Sequence, residues 1–297
     1  MNFNDLLNMG EVTLDDVSTE PVKGVIDENL YSINLKDAQN GVYKARVRFL
    51  PNPMDIKKSI ISKYYYFLKD ANGDNGIYVD DPSSIGEKSP IGDLYWKLKK
   101  STNIIDNNLS ETLKRNRKFY SFVQIIKDEQ HPELVGQIKV FGYGIKVKEK
   151  IDQEFNDEDG GNPFDIMNAR EFKIEVKMVG GYQNYDSCKF AGEKKPINIG
   201  DHQLTKTKND VKVLETFFSN IPNLDDYNFK PWTAELTEQV NERLNTYRKD
   251  SSIPSKPSYG NPKSVVEQAI KQDDEPSDEI PFGDSGDDDD LLAGIDI

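Results

Sequence analysis

Apolar and polar residues alternate with a period of two over much of the first two hundred positions, the spacing of half-buried strands. Residues 42–50 place Tyr43, Ala45, Val47 and Phe49 on one side and Val42, Lys44, Arg46 and Arg48 on the other, an apolar face and a basic one. Asn40-Gly41 just before them is a hairpin signal and predicts a partner strand near Tyr31. Residues 59–68 form a second strand with four consecutive rings, Tyr64, Tyr65, Tyr66 and Phe67. Strand side chains alternate, so at least two of these rings point away from any one core. Residues 77–79 return from a Gly- and Asn-rich turn, and further strands are predicted over 121–127, 136–148 and 171–178. In the last, Phe172, Ile174, Val176 and Met178 face one way and Lys173, Glu175 and Lys177 the other. Gly180 and Gly181 break it, because glycine admits backbone angles closed to other residues. The period becomes helical at 93–100, 107–115, 211–218 and 232–248; in the last, Leu236, Val240, Leu244 and Tyr247 recur on one face. Residues 80–92 and the acidic stretch 152–162 read as loops. The pattern predicts a β-rich α+β protein, and its short strands and long loops suggest a small Greek-key barrel such as the OB-fold, followed by C-terminal helices.

Charge divides the chain further. The net charge of −14 argues against nucleic acid only as an average. Residues 1–30 hold seven acids and one lysine, residues 251–297 twelve acids and three lysines, whereas residues 97–150 hold twelve Lys or Arg against six acids. This predicts an acidic N-terminal arm (1–30), a basic-patched core (31–250) and an acidic tail (251–297) too poor in apolar residues to fold alone. The hydrophobic fraction of 36% fits a chain with such flexible segments. No apolar run is long enough for a transmembrane helix, and the N-terminus lacks the basic-then-apolar pattern of a signal peptide. Cys188 is the only cysteine, which fits a reducing cytoplasm.

Signals for catalysis are weak. His131 and His202 are the only histidines and neither has a nucleophile or metal partner at a recognisable spacing. No phosphate-cradling glycine motif is present, and acidic runs such as Asp80-Asp81 are usually solvated. We expect no enzyme. The signal for binding is spread over several strands: Arg46 and Arg48, the 64–67 rings, the dense cluster KRNRKFY at 114–120, the segment from Phe141 to Lys148, and Tyr182, Tyr185 and Lys189 after the glycines. Rings stack on unpaired bases and cations neutralise phosphates. No basic helix suited to a duplex groove is apparent. Two other readings fit: an adaptor whose rings are merely core and whose acidic ends recruit partners, and a single-stranded RNA binder.

Particular strings sharpen the choice. VRFLP at 47–51, the 114–120 cluster leading to IKD at 126–128, and above all GGYQNYDSCKF at 180–190 resemble the single-stranded DNA-binding, helix-destabilising proteins of T-even-like tailed phages. The acidic end at Asp287, Asp288, Asp289, Asp290, Leu291 and Leu292 resembles that family's tail, and DEIPF at 278–282 resembles the tail tip of bacterial single-strand binders. The resemblance implies an OB-fold core with a small inserted subdomain, here near 60–118, and a cleft lined by cations and rings. It implies a protein that coats exposed DNA during replication, recombination and repair in the cytoplasm of a bacterial host. Its tail would contact replication and recombination proteins and compete with DNA for the cleft. Carried over by position, the DNA-binding candidates are Arg48, Arg115, Phe119, Tyr120, Phe141, Tyr182 and Tyr185, with Tyr78, Lys114, Arg117 and Lys118 as neighbours; Tyr64, Tyr65 and Tyr66 stand on composition alone. Two departures matter. The family's subdomain holds zinc through three Cys and one His, but Pro82, Ser89 and Gly92 stand about where the cysteines would be. A tetrahedral site needs four such ligands, so no zinc is expected, and packing through Tyr95, Trp96 and Leu98 would take its place. The family's N-terminal arm is basic and mediates self-association along DNA, whereas here it is acidic, so an acidic arm would have to dock on a basic patch of the next molecule.

Overall fold

In the computed structural model, which describes residues 27–70 and 75–251, the alternating segments form one mixed sheet. Its strands are β1 (Leu30–Tyr31), β2 (Val42–Leu50), β3 (Ile61–Lys69), β4 (Gly76–Asp80), β5 (Asn116–Asp128), β6 (Ile138–Tyr143), β7 (Ala169–Val179), β8 (Tyr182–Asn184) and β9 (Lys189–Lys195). Five α-helices accompany them among the described residues: α1 (Pro90–Lys99), α2 (Ile104–Glu111), α3 (Ile145–Asn156), α4 (Lys208–Phe217) and α5 (Ala234–Asp250). β2 runs antiparallel between β5 and β7; β6 joins β5, β1 joins β6 in parallel, and β8 and β9 both pair with β7. The spine is β5. Its residues 116–120 pair with β3, residues 122–128 with β2, and residues 119–124 with β6. β3 carries β4 on its far side.

Three buried clusters follow from this topology. The first lies between β2, β5, β6, β7 and α3, with Phe49 near Phe141, Tyr143, Phe164, Phe172 and Phe190 at ring-centroid distances of 5.6–6.4 Å. The second packs Tyr66, Leu68 and Val79 of the β3–β4 hairpin against Ile91, Leu94 and Leu98 of α1 and Val240, Leu244 and Tyr247 of α5. The third gathers Leu50, Ile61, Phe122 and Val140 under Ile197, Leu204 and Leu224. Phe122 and Val123 therefore enter different cores, and both faces of β5 are buried from Ser121 to Ile125.

Helix ends explain where several elements begin. Ser89 accepts from Gly92 N before α1 with Pro90 in the first turn, Asn103 accepts from Ile105 N before α2, and Thr233 accepts from Leu236 N before α5. Thr207 and Asp210 form a capping box at α4. The Asp210 carboxyl, held by Thr207 N–H and by His202, lies far below the usual carboxylate range.

The structure corrects several expectations. Asn40 and Gly41 do adopt positive φ (55° and 73°), but their turn leads into β2 without joining paired strands, since β1 pairs with β6. The strand expected over 136–148 stops at Tyr143, and α3 starts at Ile145. Val147 and Ile151, four residues apart, are buried against the first cluster, and that helical spacing outweighs the short local alternation. α3 continues through Asn156 into the stretch read as an acidic loop, where burial raises the Glu154 carboxyl pKa even though Arg170 lies 2.9 Å away. The second helix forms at Ile104–Glu111, earlier than expected. Of the residues expected to hold the subdomain, Leu98 is buried and Tyr95 partly so, but Trp96 is exposed. Met178, expected inside, is exposed, because β7 projects beyond the core at its end. Arg48 is only 2% exposed, and its guanidinium donates to the carbonyls of Ala169, Asp165 and Lys195, which ties β2 to the start of β7 and the end of β9. Burial brings its pKa down to about 10. Phe141 is buried in the first cluster as well. Both residues hold the fold together and neither presents a surface to DNA. Most of the acidic arm, and the tail with Asp287 to Leu292, lie outside the described residues.

Candidate nucleic-acid interface

Residues opposite one another in an antiparallel pair share a face. The β3–β5 register sets Tyr64 opposite Arg117 and Ser62 opposite Phe119, whereas Lys63 lies opposite Lys118 and Ile61 opposite Tyr120. The basic and aromatic cluster at 114–120 is thus divided between two faces of the sheet.

On the first face Tyr64 is covered by two guanidiniums, Arg115 at 4.0 Å and Arg117 at 5.1 Å from its ring centroid. Arg117 also lies 4.8 Å from the Phe119 centroid and donates to Ser62 Oγ at 3.0 Å. Arg115 donates to Ser83 Oγ at 3.0 Å and stands 3.7 Å from Asp81. The Asp81 side chain is fully buried and accepts from Ser83 N and Oγ at 3.2 and 2.6 Å, so it cannot swing away. From α3, Lys148 reaches within 5.8 Å of the Phe119 centroid and pairs with Asp152 at 2.6 Å. Tyr66, next along this face of β3, belongs to the second cluster, and Phe119 belongs to the first. Tyr64 and Arg117 are therefore the floor between two cores, with α3 at one side and the turn at Asp81 and Ser83 at the other. Each cation–π contact is worth about 0.5–1 kcal/mol at an exposed site. A guanidinium lying on a ring keeps in-plane donors for a phosphate.

The second face is different. Tyr120 packs at a tilt against Tyr227, with ring centroids 5.1 Å apart, at the rim of the third cluster, where burial raises its phenol pKa. Gly142 makes room for it: a Cβ there would sit 3.0 Å from the Tyr120 ring and 3.3 Å from Lys118 Cε. Lys63 pairs with Asp80 at 2.9 Å. Tyr78, 38% exposed, packs beside Phe67 and Tyr65 at 4.9 and 6.0 Å on this face.

A third group lies at the β7–β8 hairpin. Gly180 and Gly181 both have positive φ (64° and 92°), the requirement of a two-residue hairpin turn, and Val179 pairs with Tyr182 across it. Tyr182 is 49% exposed at the tip. Tyr185 packs half-buried on the first cluster and donates to Gln183 Oε1 at 2.9 Å. Cys188 beneath it is buried, which pushes its thiol up to about 11.

Among the sequence candidates, then, Arg115 and Arg117 meet on one floor, with the buried edge of Phe119 beside them. Lys118, Tyr120 and Tyr78 lie on the other face, Tyr182 and Tyr185 at the hairpin, and Lys114 pairs with Glu111 at 2.7 Å at the end of α2. Arg48 and Phe141 are interior. Composition pointed to Tyr64 only as one ring of four, and the pairing register makes it central. Alternation placed Lys148 at the end of a strand that shares the binding signal, whereas it reaches this floor from a helix, and Asp81 was missed. The helical spacing of Val147 and Ile151 held the signal for Lys148, and no sequence signal marked Asp81.

The family described as gp32 DNA binding protein like matches residues 39–247. The single-stranded DNA-binding proteins of Enterobacteria phages T4 and T2 are each 25% identical to this chain over 193 residues, which cover 61% of it. The chain spans about 60% of the length of these relatives. The matched segment runs from the turn before β2 almost to the end of α5, and the chain belongs to the gp32-like family of DNA-binding proteins, the family that its 180–190 string resembles.

Proposed function

We propose that this protein binds and coats unpaired DNA with little sequence preference, without catalysis, in the floor between the first two clusters. The observation that carries the proposal is the pair of guanidiniums over Tyr64, flanked by Lys148. Cations held over a ring offer donors to a phosphate, and the rings beside them offer faces to bases. We read the core as a partly open OB-fold. β2, β5, β6, β7 and β9 act as its five strands, since β2 pairs with β5 and β7, β5 with β6, and β7 with β9. The β3–β4 hairpin, α1 and α2 are then an insertion between the first two strands. The residues present do not fit the zinc of better-known family members: Pro82, Ser89 and Gly92 stand about where the cysteines would be, and the stretch 81–92 holds no Cys or His. Instead α5 and the residues just before it are the clamp, with Arg243 of the helix donating to the carbonyls of Leu68 and Asn75 and Trp232 Nε1, ahead of the helix, to that of Asp80 at 2.7 Å. Roles in phage replication, recombination and repair within the host cytoplasm, recruitment of partners and autoinhibition by the tail, and self-association along DNA belong to the same reading.

The test is a titration with oligo-dT at several salt concentrations, followed by intrinsic fluorescence. Quenching with a steep negative salt dependence is expected. Absence of binding by both the full chain and a chain ending at 251 would overturn the proposal, and much tighter binding of oligo-rU would convert it to an RNA reading.

A further inference from the structure

α3 carries a second pair of cations. Val147 and Ile151 lie on the first cluster, and Lys148 flanks them on the side of Phe119. Lys146 and Lys150, one turn apart, flank them on the other side and converge on Asp186. Lys146 Nζ is 3.4 Å from Asp186 Oδ1, and Lys150 Nζ donates to the main-chain carbonyl of Asp186 at 3.2 Å. Asp186 follows β8 in the loop that holds Tyr185; its N–H donates to Asn184 Oδ1 at 3.0 Å, and Asn184 Nδ2 donates to its Oδ2 at 2.7 Å. Its side chain is 65% exposed, whereas that of Lys146 is 26% exposed. Two ammonium groups, one of them well packed, thus share one exposed residue, and its carboxylate meets only the first of them. A phosphodiester has the same charge and two non-bridging oxygens, enough for both.

We propose that Lys146 and Lys150 form a phosphodiester subsite that Asp186 fills in the free protein, so that the loop between Tyr182 and Cys188 is latched to α3 until a backbone phosphate displaces it. The inference rests on the single-strand reading above and adds to it a second contact point, on the far side of α3 from Arg117. An exposed ion pair is weak and readily exchanged. The Asn184 hydrogen bond, with help from the two lysines, lowers the Asp186 pKa, so the latch stays ionised at neutral pH.

The experiment compares the full chain with its Asp186→Asn and Asp225→Asn variants. Dimethyl phosphate, a bare phosphodiester, is titrated while the main-chain amide resonances of residues 184–188 are followed. In the wild type these should shift, and in Asp186→Asn they should saturate at about two- to fivefold lower concentration, the range of an exposed pair. Lys146→Gln with Lys150→Gln should abolish the shift. Oligo-dT should bind Asp186→Asn about two- to fivefold tighter than wild type at low salt, with Asp225→Asn unchanged. Resonances that ignore dimethyl phosphate, or an Asp186→Asn variant that binds oligo-dT no tighter than Asp225→Asn, would overturn the latch. A loop that answers dimethyl phosphate in a chain that does not bind oligo-dT would leave the subsite standing and remove the single-strand reading.

Discussion

The two halves of β5 put polar side chains to different uses. From Ser121 to Ile125 both faces are covered, and the polar groups there and at Asp128 bond inside the protein. Ser121 Oγ meets Tyr143 Oη at 2.9 Å, Gln124 Nε2 donates to Asn198 O at 2.6 Å, and Asp128 accepts from Tyr31 and Tyr43 at 2.6 and 2.7 Å. Arg48, opposite Gln124 on β2, shares that fate. Before residue 120 one face opens between two clusters, and there Arg117 meets a hydroxyl and two rings, with no carboxylate partner among the described residues. What separates a structural cation from a candidate contact is the covering of its face, which depends on what packs there and not on residue type.

The largest effect should come from the covered half. Arg48→Ala removes the donor to three main-chain carbonyls; at about 1–3 kcal/mol for each buried group left unsatisfied, a loss of about 3–5 kcal/mol is expected in urea unfolding. Affinity of the folded fraction for oligo-dT should stay unchanged. Weaker binding at unaltered stability would put Arg48 back on the DNA surface.

Asp128 tests the same half by pH. Burial pushes its pKa up, but hydrogen bonds from Tyr31 and Tyr43 and from the N–H groups of His131 and Gln130 outweigh this, so the carboxyl titrates below its ordinary value. A depressed folded pKa gives stability that is complete above the unfolded value, about 3.9 for Asp, and lost as pH falls through the folded one. Asp128→Asn should be about 1–3 kcal/mol less stable at pH 7, with the difference narrowing below about pH 4. A constant difference down to strong acid would show that packing, not charge, is responsible.

In the open half, Tyr64→Ala should weaken oligo-dT binding by about tenfold, the effect of one stacked base at about 1–3 kcal/mol. Tyr120→Ala, which removes the ring packed against Tyr227, should lower stability and spare affinity. By the same logic Arg117→Ala should reduce the salt slope by about 0.7 for each phosphate no longer neutralised, and Lys118→Ala should leave it unaltered. Equal effects from the two members of either pair would dissolve the distinction between the faces.

This distinction was half legible in the sequence. Alternation located β2, β3, β5 and β7, and the two glycines located the β7–β8 turn, because strand period and positive φ are local properties. The division of 114–120 between two faces also follows from alternation. Which face is covered does not, because the covering segments, α3, Leu224 to Tyr227 and α5, come from distant parts of the chain. The lysines of α3 were visible as cations but assigned to a strand for a related reason: four residues of local alternation imitate a strand, and only the depth of Val147 and Ile151 shows the helix. Arg48 looked like a surface cation because its partners are main-chain carbonyls, which leave no trace in side-chain pattern.

The smallest effect, and the sharpest for the open face, concerns Asp81. On charge alone, removing an acid beside Arg115 should tighten DNA binding, as proposed for Asp186. But Asp81 is buried and orients Ser83, and through it Arg115 over Tyr64. Without that support the guanidinium must be immobilised on binding, at about 0.5–1.5 kcal/mol for one side chain. Asp81→Asn should therefore weaken oligo-dT binding by about threefold, with the salt slope preserved because Arg115 still neutralises its phosphate. The two aspartates should thus move affinity in opposite directions although both sit beside cations. Tighter binding by Asp81→Asn would mean that Arg115 is held back by its acid and not positioned by it.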